Sequence, residues 1–128
     1  MTNNTNTLHL RNLAHLGDAV YEVYIREKTI RLTQNPKNFH KLTVSLVNAE
    51  FQSAVLDVLH DKLTHDEQEL VRRGRNMPVT TSRRVNQKTH RPATALEVLI
   101  GYLYLEDKER LEEVYKIINL EIEKVLNA

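Results

Sequence analysis

Outside residues 77–91, the apolar side chains of this chain from Leu10 to Val125 recur at intervals of three and four residues, and no useful length alternates with period two. That spacing lines one face of an α-helix, whereas a half-buried strand needs alternation, so the chain is confined to an all-α fold. Three glycines and three prolines leave long segments uninterrupted. A first helix is expected over about residues 8–32, with Leu10, Leu13, Leu16, Val20, Val23 and Tyr24 on its apolar face. Asn35-Pro36 opens the next element, proline being tolerated at a helix start, and helices over about residues 38–45 and 48–62 follow. Thr64 and Glu67 make a Thr-x-x-Glu capping-box pattern, which starts a short helix reaching about residue 73, with Gly74 as its stop. Residues 77–91 are rich in Thr, Ser, Arg and Asn and have no apolar period, so an exposed loop is expected there. Pro92 then starts the most hydrophobic helix, and a last one covers about residues 108–126, with Leu111, Val114, Tyr115, Ile118, Ile122 and Val125 on one face. The expectation is a single all-α domain over residues 1–128, built from six to seven helices.

Composition narrows the function classes. With no cysteine, disulfides and thiolate metal sites are excluded, and a cytoplasmic setting is expected. Residues 1–7 are polar, unlike a signal peptide, and no apolar run approaches a membrane span. The net charge of +1 conceals a segregation: no acidic residue lies between Glu69 and Glu97. That stretch holds Arg72, Arg73, Arg75, Arg83, Arg84, Lys88 and Arg91, while the rest of the chain carries 11 basic against 17 acidic residues. Positive charge gathered on one segment of an otherwise acidic protein is what a phosphate-binding surface needs; a solvated loop with scattered arginines is the plainer alternative. Aromatics are 5% of the chain and absent from the basic segment, which argues against stacking on single-stranded bases.

Two carboxylates stand in apolar helix. Glu97 is the only charge among residues 92–105, and Asp18 has Leu13, Leu16, Ala19 and Val20 around it, which points to core packing. A carboxylate held from water costs several kcal/mol, on the order of 3 to 5, unless paired or bound to a cation. Gly17 precedes Asp18 and Gly101 lies one turn beyond Glu97. Glycine inside a helix costs about 1 kcal/mol and so asks for a reason, and close helix approach is one. If the two helices cross at these glycines, Asp18 and Glu97 converge on one point. Oxygen ligands on two rigid helices suit Mg²⁺, which takes one or two carboxylates and keeps several waters. The alternatives stay open at this level: Glu97 near the start of its helix could answer the helix dipole, and Asp18 could pair with Arg26.

The string LAHLGDAVYEVYIRE, residues 13–27, resembles the signature of the ribonuclease III family, whose centre is Leu-Gly-Asp-Ala. ALEVLIGYLYLE, residues 95–106, resembles its second motif, which carries a metal-binding glutamate, and RRGRN, residues 72–76, is similar to a segment of the Mini-III subfamily. The three run in family order and spacing over nearly the whole chain. The resemblance implies a ribonuclease III catalytic domain with no room for the double-stranded-RNA-binding domain of larger members. It makes Asp18 and Glu97 the catalytic residues and Mg²⁺ ligands. Two further acids of larger members are replaced here by Ala14 and Thr94, a departure typical of Mini-III, and Glu50 falls near another acidic position.

The activity implied by the resemblance is cleavage of double-stranded RNA to 5′-phosphate and 3′-hydroxyl ends, in maturation of 23S ribosomal RNA. A large-subunit ribosomal protein is the implied assistant, and a homodimer would place two sites across the duplex. The first helix is the candidate contact, through some of Leu10, Leu13, Tyr21 and Tyr24, which are equally candidates for the core. Arg72, Arg73, Arg75, Asn76, Arg83, Arg84 and Lys88 are the candidate RNA-binding residues, since A-form RNA is met mainly through its backbone. The six histidines form no close ligand pair on one helix face; His15, near Asp18, is a candidate substrate contact. The rival readings are a catalytically inactive double-stranded-RNA-binding ribosome assembly factor, consistent with Ala14 and Thr94, and a helical DNA-binding module. The second lacks a basic recognition helix.

Overall fold

In a computed structural model that describes residues 7–78 and 87–128, six helices follow one another and no strand occurs among the described residues. They are α1 (Thr7–Thr29), α2 (Pro36–Val47), α3 (Ala49–Leu59), α4 (His65–Arg75), α5 (Gln87–Glu106) and α6 (Lys108–Leu126), with a 3₁₀ turn at His60–Lys62.

Local chemistry sets the boundaries. Asn35 caps α2 by accepting from the amides of Lys37 and Asn38 at 2.9 and 3.2 Å, with Pro36 in the first turn where its missing N–H costs nothing. Asn48 closes α2 by donating its N–H to the Val44 carbonyl and opens α3 by accepting from Phe51 N at 2.8 Å, so the two helices meet at a one-residue elbow. The Thr64–Glu67 capping box forms as its spacing predicts: Thr64 N donates to Glu67 and Glu67 N to the Thr64 hydroxyl. The same Glu67 carboxylate takes two hydrogen bonds of 2.9 Å from Arg110, tying the start of α4 to α6. Burial opposes its charge, but the bonds from Arg110 and Thr64 outweigh that and hold the carboxyl below its ordinary range.

The apolar run of α5 is explained by its place in the middle of the bundle. Leu96, Val98, Leu99 and Ile100 are fully buried, and α1, α3, α4 and α6 all pack on this helix. Leu10, Leu13, Tyr21 and Tyr24 of α1 belong to the core, with the Tyr21 hydroxyl donating to Leu46 O at 2.6 Å. Val23 and Val125, expected on inward faces, are exposed.

Three expectations need correction. Gly74 does not stop α4; it lies within the helix, buried, where a β-carbon would press on Ala95 Cα at 3.2 Å, and Asn76 caps the end. The glycine serves helix packing. The most hydrophobic helix begins at Gln87 and Pro92 lies inside it. The opening turns of α5 are polar because they lie beyond the buried stretch, and so carry no apolar period. Thirdly, the carboxylate-bearing residue Asp18 is exposed, and the buried member of the pair Gly17–Asp18 is the glycine.

Candidate active site

The two sequence-predicted glycines make the site. A β-carbon on Gly17 would be driven into the Glu97 carbonyl oxygen and would lie 2.9 Å from Gly101 N. One on Gly101 would be driven into the Leu13 carbonyl oxygen and would lie 3.1 Å from Gly17 N. Neither glycine has a positive φ, so what each provides is space: α1 and α5 touch backbone to backbone. The residue after one glycine and the residue one turn before the other are thereby brought together, and the Asp18 and Glu97 side chains line the same cleft, close enough for the charge of Asp18 to act on Glu97.

They meet in a cleft of about 380 Å³ between α1, the end of α4 and α5. Glu97 is half-buried, and its carboxyl is pushed up to about 8, first by burial, then by the charge and hydrogen bond of Asp18; a hydrogen bond from Gln52 works the other way. Two carboxyls this close cannot both ionise cheaply, so the pair takes either a shared proton or a cation. Arg26 pairs with Glu22 at 2.8 Å, so the ion-pair alternative for Asp18 through Arg26 is not realised. Glu97 stands about three turns inside α5, too deep for its charge to answer the helix dipole. Ala14 and Thr94 also line the cleft, so the two places where larger family members carry acids flank the pair with short side chains. Among the described residues no three or more His, Cys, Asp or Glu are placed to hold a metal ion together. The donor set is thus two hard carboxylates with room for water beside them, which fits Mg²⁺ and no all-protein cage.

The basic residues divide. Arg75 lines the cleft, but Arg72 is turned outward and held by Glu69 through two hydrogen bonds of 3.0 and 2.6 Å. Arg73, Asn76 and Lys88 do not line the cleft, and Asn76 serves as the cap of α4. Arg83 and Arg84 lie outside the described residues. Glu50, exposed in the first turn of α3, is not on the cleft, whereas His15 is.

Arg11, Arg91 and His90 line the cleft although the sequence patterns alone do not assign them to it. Arg11 donates to Pro78 O at 2.8 Å, and Arg91 to Arg75 O and Met77 O at 3.2 and 3.4 Å. These guanidiniums hold the carbonyl-rich end of α4 against the cleft and offset its partial negative charge. A sequence signal for all three exists: Arg11 and His15 stand seven and three residues before Asp18, and His90 and Thr94 stand likewise before Glu97, with Arg91 beside His90. Each set is a polar stripe on the helix face that carries the acid.

Residues 11–108 match the family model described as the Ribonuclease III domain. A Mini-ribonuclease 3 from a Synechocystis strain is 45% identical over 84% of this chain and 76% of its own length. A Mini-ribonuclease 3 from Enterococcus faecalis is 39% identical over 88% of this chain and 87% of its own. A crystal structure of a protein from Fusobacterium nucleatum is similar with a TM-score of 0.80 and 33% identity, covering 95% of each chain.

Proposed function

This chain belongs to the ribonuclease III family, close to its Mini-III members, and is an endoribonuclease; on that premise we propose that it cuts double-stranded RNA with Mg²⁺, as a homodimeric single-domain enzyme maturing precursor ribosomal RNA. The observation that carries the reading is the convergence of Asp18 and Glu97 at the glycine crossing, beneath a rim that includes Arg11, Arg75 and Arg91.

Asp18 and Glu97 would hold the ion. When bound, Mg²⁺ supplies an activated water and neutralises charge on the phosphate. The protein's own contribution is placement. The crossing fixes where both carboxylates stand, and the exposed Asp18 keeps the pair open to a substrate arriving from solvent. Arg75, presented on the end of α4, meets a backbone phosphate, while Arg11 and Arg91 hold that end in place. Recognition through phosphates and 2′-hydroxyls matches an A-form duplex, which offers side chains little base-edge information.

A duplex has two strands and each chain has one carboxylate pair, which is the reason for a dimer. An apolar groove of about 420 Å³ beside α1, walled by Val20, Val23 and Tyr104, is the described surface best suited to a second copy. Leu16 and Ala19 of that groove flank Asp18 in sequence, so a copy seated there would put two cleavage sites on one assembly. Among the described residues no single helix is long and apolar enough to cross a membrane. The proposed place of work is the cytoplasm, where ribosomal RNA is matured, and a large-subunit ribosomal protein on the precursor is the proposed assistant.

Incubation of the purified protein with a long RNA duplex, with and without Mg²⁺, tests the core of this. Metal-dependent shortening to products with 5′-phosphates is expected. Binding without cutting at any Mg²⁺ concentration would leave the inactive assembly factor as the answer. Cleavage of a 23S precursor, alone and on the partly assembled subunit, tests the narrower assignment.

A further inference from the structure

We propose that Arg91 is a phosphate receptor: tethered through one nitrogen to the end of α4, it offers the opposite edge of its guanidinium to an RNA backbone phosphate beside the one being cut. The inference rests on the duplex-RNA reading above and adds a contact that helps set where along a strand the cut falls.

A guanidinium is a rigid plane of N–H donors that accepts nothing. In Arg91 only Nη1 is engaged. It donates to Arg75 O at 3.2 Å and to Met77 O at 3.4 Å, and the side chain makes no other hydrogen bond or ion pair among the described residues. Planar geometry fixes the rest: the edge formed by Nε and Nη2 faces away from Nη1, and so away from the end of α4.

This chain shows twice what that edge takes. Arg72 sets Nε and Nη2 on Glu69 at 3.0 and 2.6 Å, and Arg110 sets the same two atoms on Glu67 at 2.9 Å each. The matching acceptor is a pair of oxygens on one centre, as in a carboxylate or a phosphodiester. Arg91 is half-buried and lines the cleft, where the only acids are Asp18 and Glu97, and it pairs with neither. Both of its acceptors are neutral carbonyls, so its charge is answered by no carboxylate among the described residues. Glu97 stands six residues further on, about 9 Å along the axis of α5. That offset assigns Arg91 a phosphate next to the scissile one. Because one anchor is the carbonyl of Arg75, which also lines the cleft, the two arginines are held in one register.

The test is a binding scan without Mg²⁺, so that nothing is cut. Wild type, Arg91→Ala and Arg91→Lys, each as the full chain, are titrated with a short RNA duplex carrying one methylphosphonate at a time. That linkage is neutral and removes the charge of a single phosphate. Several positions should matter to wild type, each by about 10- to 100-fold. At one of them the loss should vanish in Arg91→Ala, which should bind the unmodified duplex more weakly by a similar factor, with a salt slope shallower by about one contact. Arg91→Lys keeps a donor for the α4 carbonyls and a charge but lacks the fork, so it should melt near wild type and recover only part of the affinity. If both variants lose affinity at every modified linkage as wild type does, the proposal is overturned, and the guanidinium serves α4 alone. Where Arg91→Ala is too unstable to titrate, Arg91→Lys decides, and full wild-type affinity in it overturns the proposal equally. A wild-type protein that binds no RNA duplex would instead sink the duplex reading, and this contact with it.

Discussion

The α1–α5 crossing and the end of α4 face each other across one cleft and are built on opposite terms. At the crossing, backbone rests on backbone, no side chain intervenes between Gly17 and Gly101, and Asp18 and Glu97 stand where two rigid helices put them. At the end of α4, position depends on long side chains: Arg11 and Arg91 reach across to carbonyls, and Arg72 commits its guanidinium to Glu69. In the proposed function, chemistry that fails with an error of an ångström would sit on the first kind of support. Contact with a phosphate chain, which tolerates adjustment, would sit on the second.

The comparison is broken most decisively at the carboxylates. Asp18→Asn and Glu97→Gln keep shape and remove charge, so each should lower single-turnover cleavage by about a thousandfold or more, roughly 4 kcal/mol. The double mutant should be hardly worse, because the pair acts as one unit. Melting of the same preparations should be preserved; unstable but active mutants would mean the acids are only structural.

Gly17→Ala comes next. Its methyl meets helix backbone that cannot swing aside, so α1 and α5 must part, at a cost of about 3 kcal/mol. Thermal unfolding measures the loss, and cleavage should fall with it even where the protein is folded. Gly74→Ala is the contrast, since its nearest neighbours would be at 3.2 and 3.3 Å and need give only slightly.

Arg75→Ala should weaken duplex binding by about 1 kcal/mol and flatten the salt dependence by about one phosphate contact. Arg72→Ala, exposed and already paired, should do less. Equal effects would shift the RNA path from the cleft to the outer face of α4.

The smallest effect is one of pH. Because the Glu97 carboxyl is raised to about 8 in the folded protein, the metal-free fold binds its proton more tightly than the unfolded chain does. That contribution to stability is complete below the ordinary carboxyl range and is lost as pH rises through about 8. Melting temperature without metal should therefore decline between about pH 5 and about pH 8 and level off above that, and Glu97→Gln should remove this part of the decline. An identical slope in both proteins would show that Glu97 is not the titrating group.

Much of this is legible in the chain. The Thr64–Glu67 box, the six-helix pattern and the convergence of two acids at a pair of glycines follow from spacing, because each is a matter of which residues share a helix face. Gly74 misleads because a glycine that ends a helix and one that admits a neighbouring helix look alike in a single sequence; only Ala95 and Val98 tell them apart. The first turns of α5 read as loop because a polar helical turn has no period to detect. Gln52 gives no sign at all. A glutamine in a helix is ordinary until its burial and its bond to Val47 O at the end of α2 are known.

The crossing has a bearing on synthesis. Asp18 lies near the start of the chain and Glu97 far along it, and the contact that unites them closes most of the sequence into a loop. A growing chain that has delivered only its first four helices has Asp18 but not Glu97, no α5 to oppose it and no cleft. If Asp18 and Glu97 are the cutting centre as proposed, such a chain can hold none until its fifth helix has left the ribosome and seated in the bundle. On that reading, completion of the fold would serve as the safety catch of the nuclease.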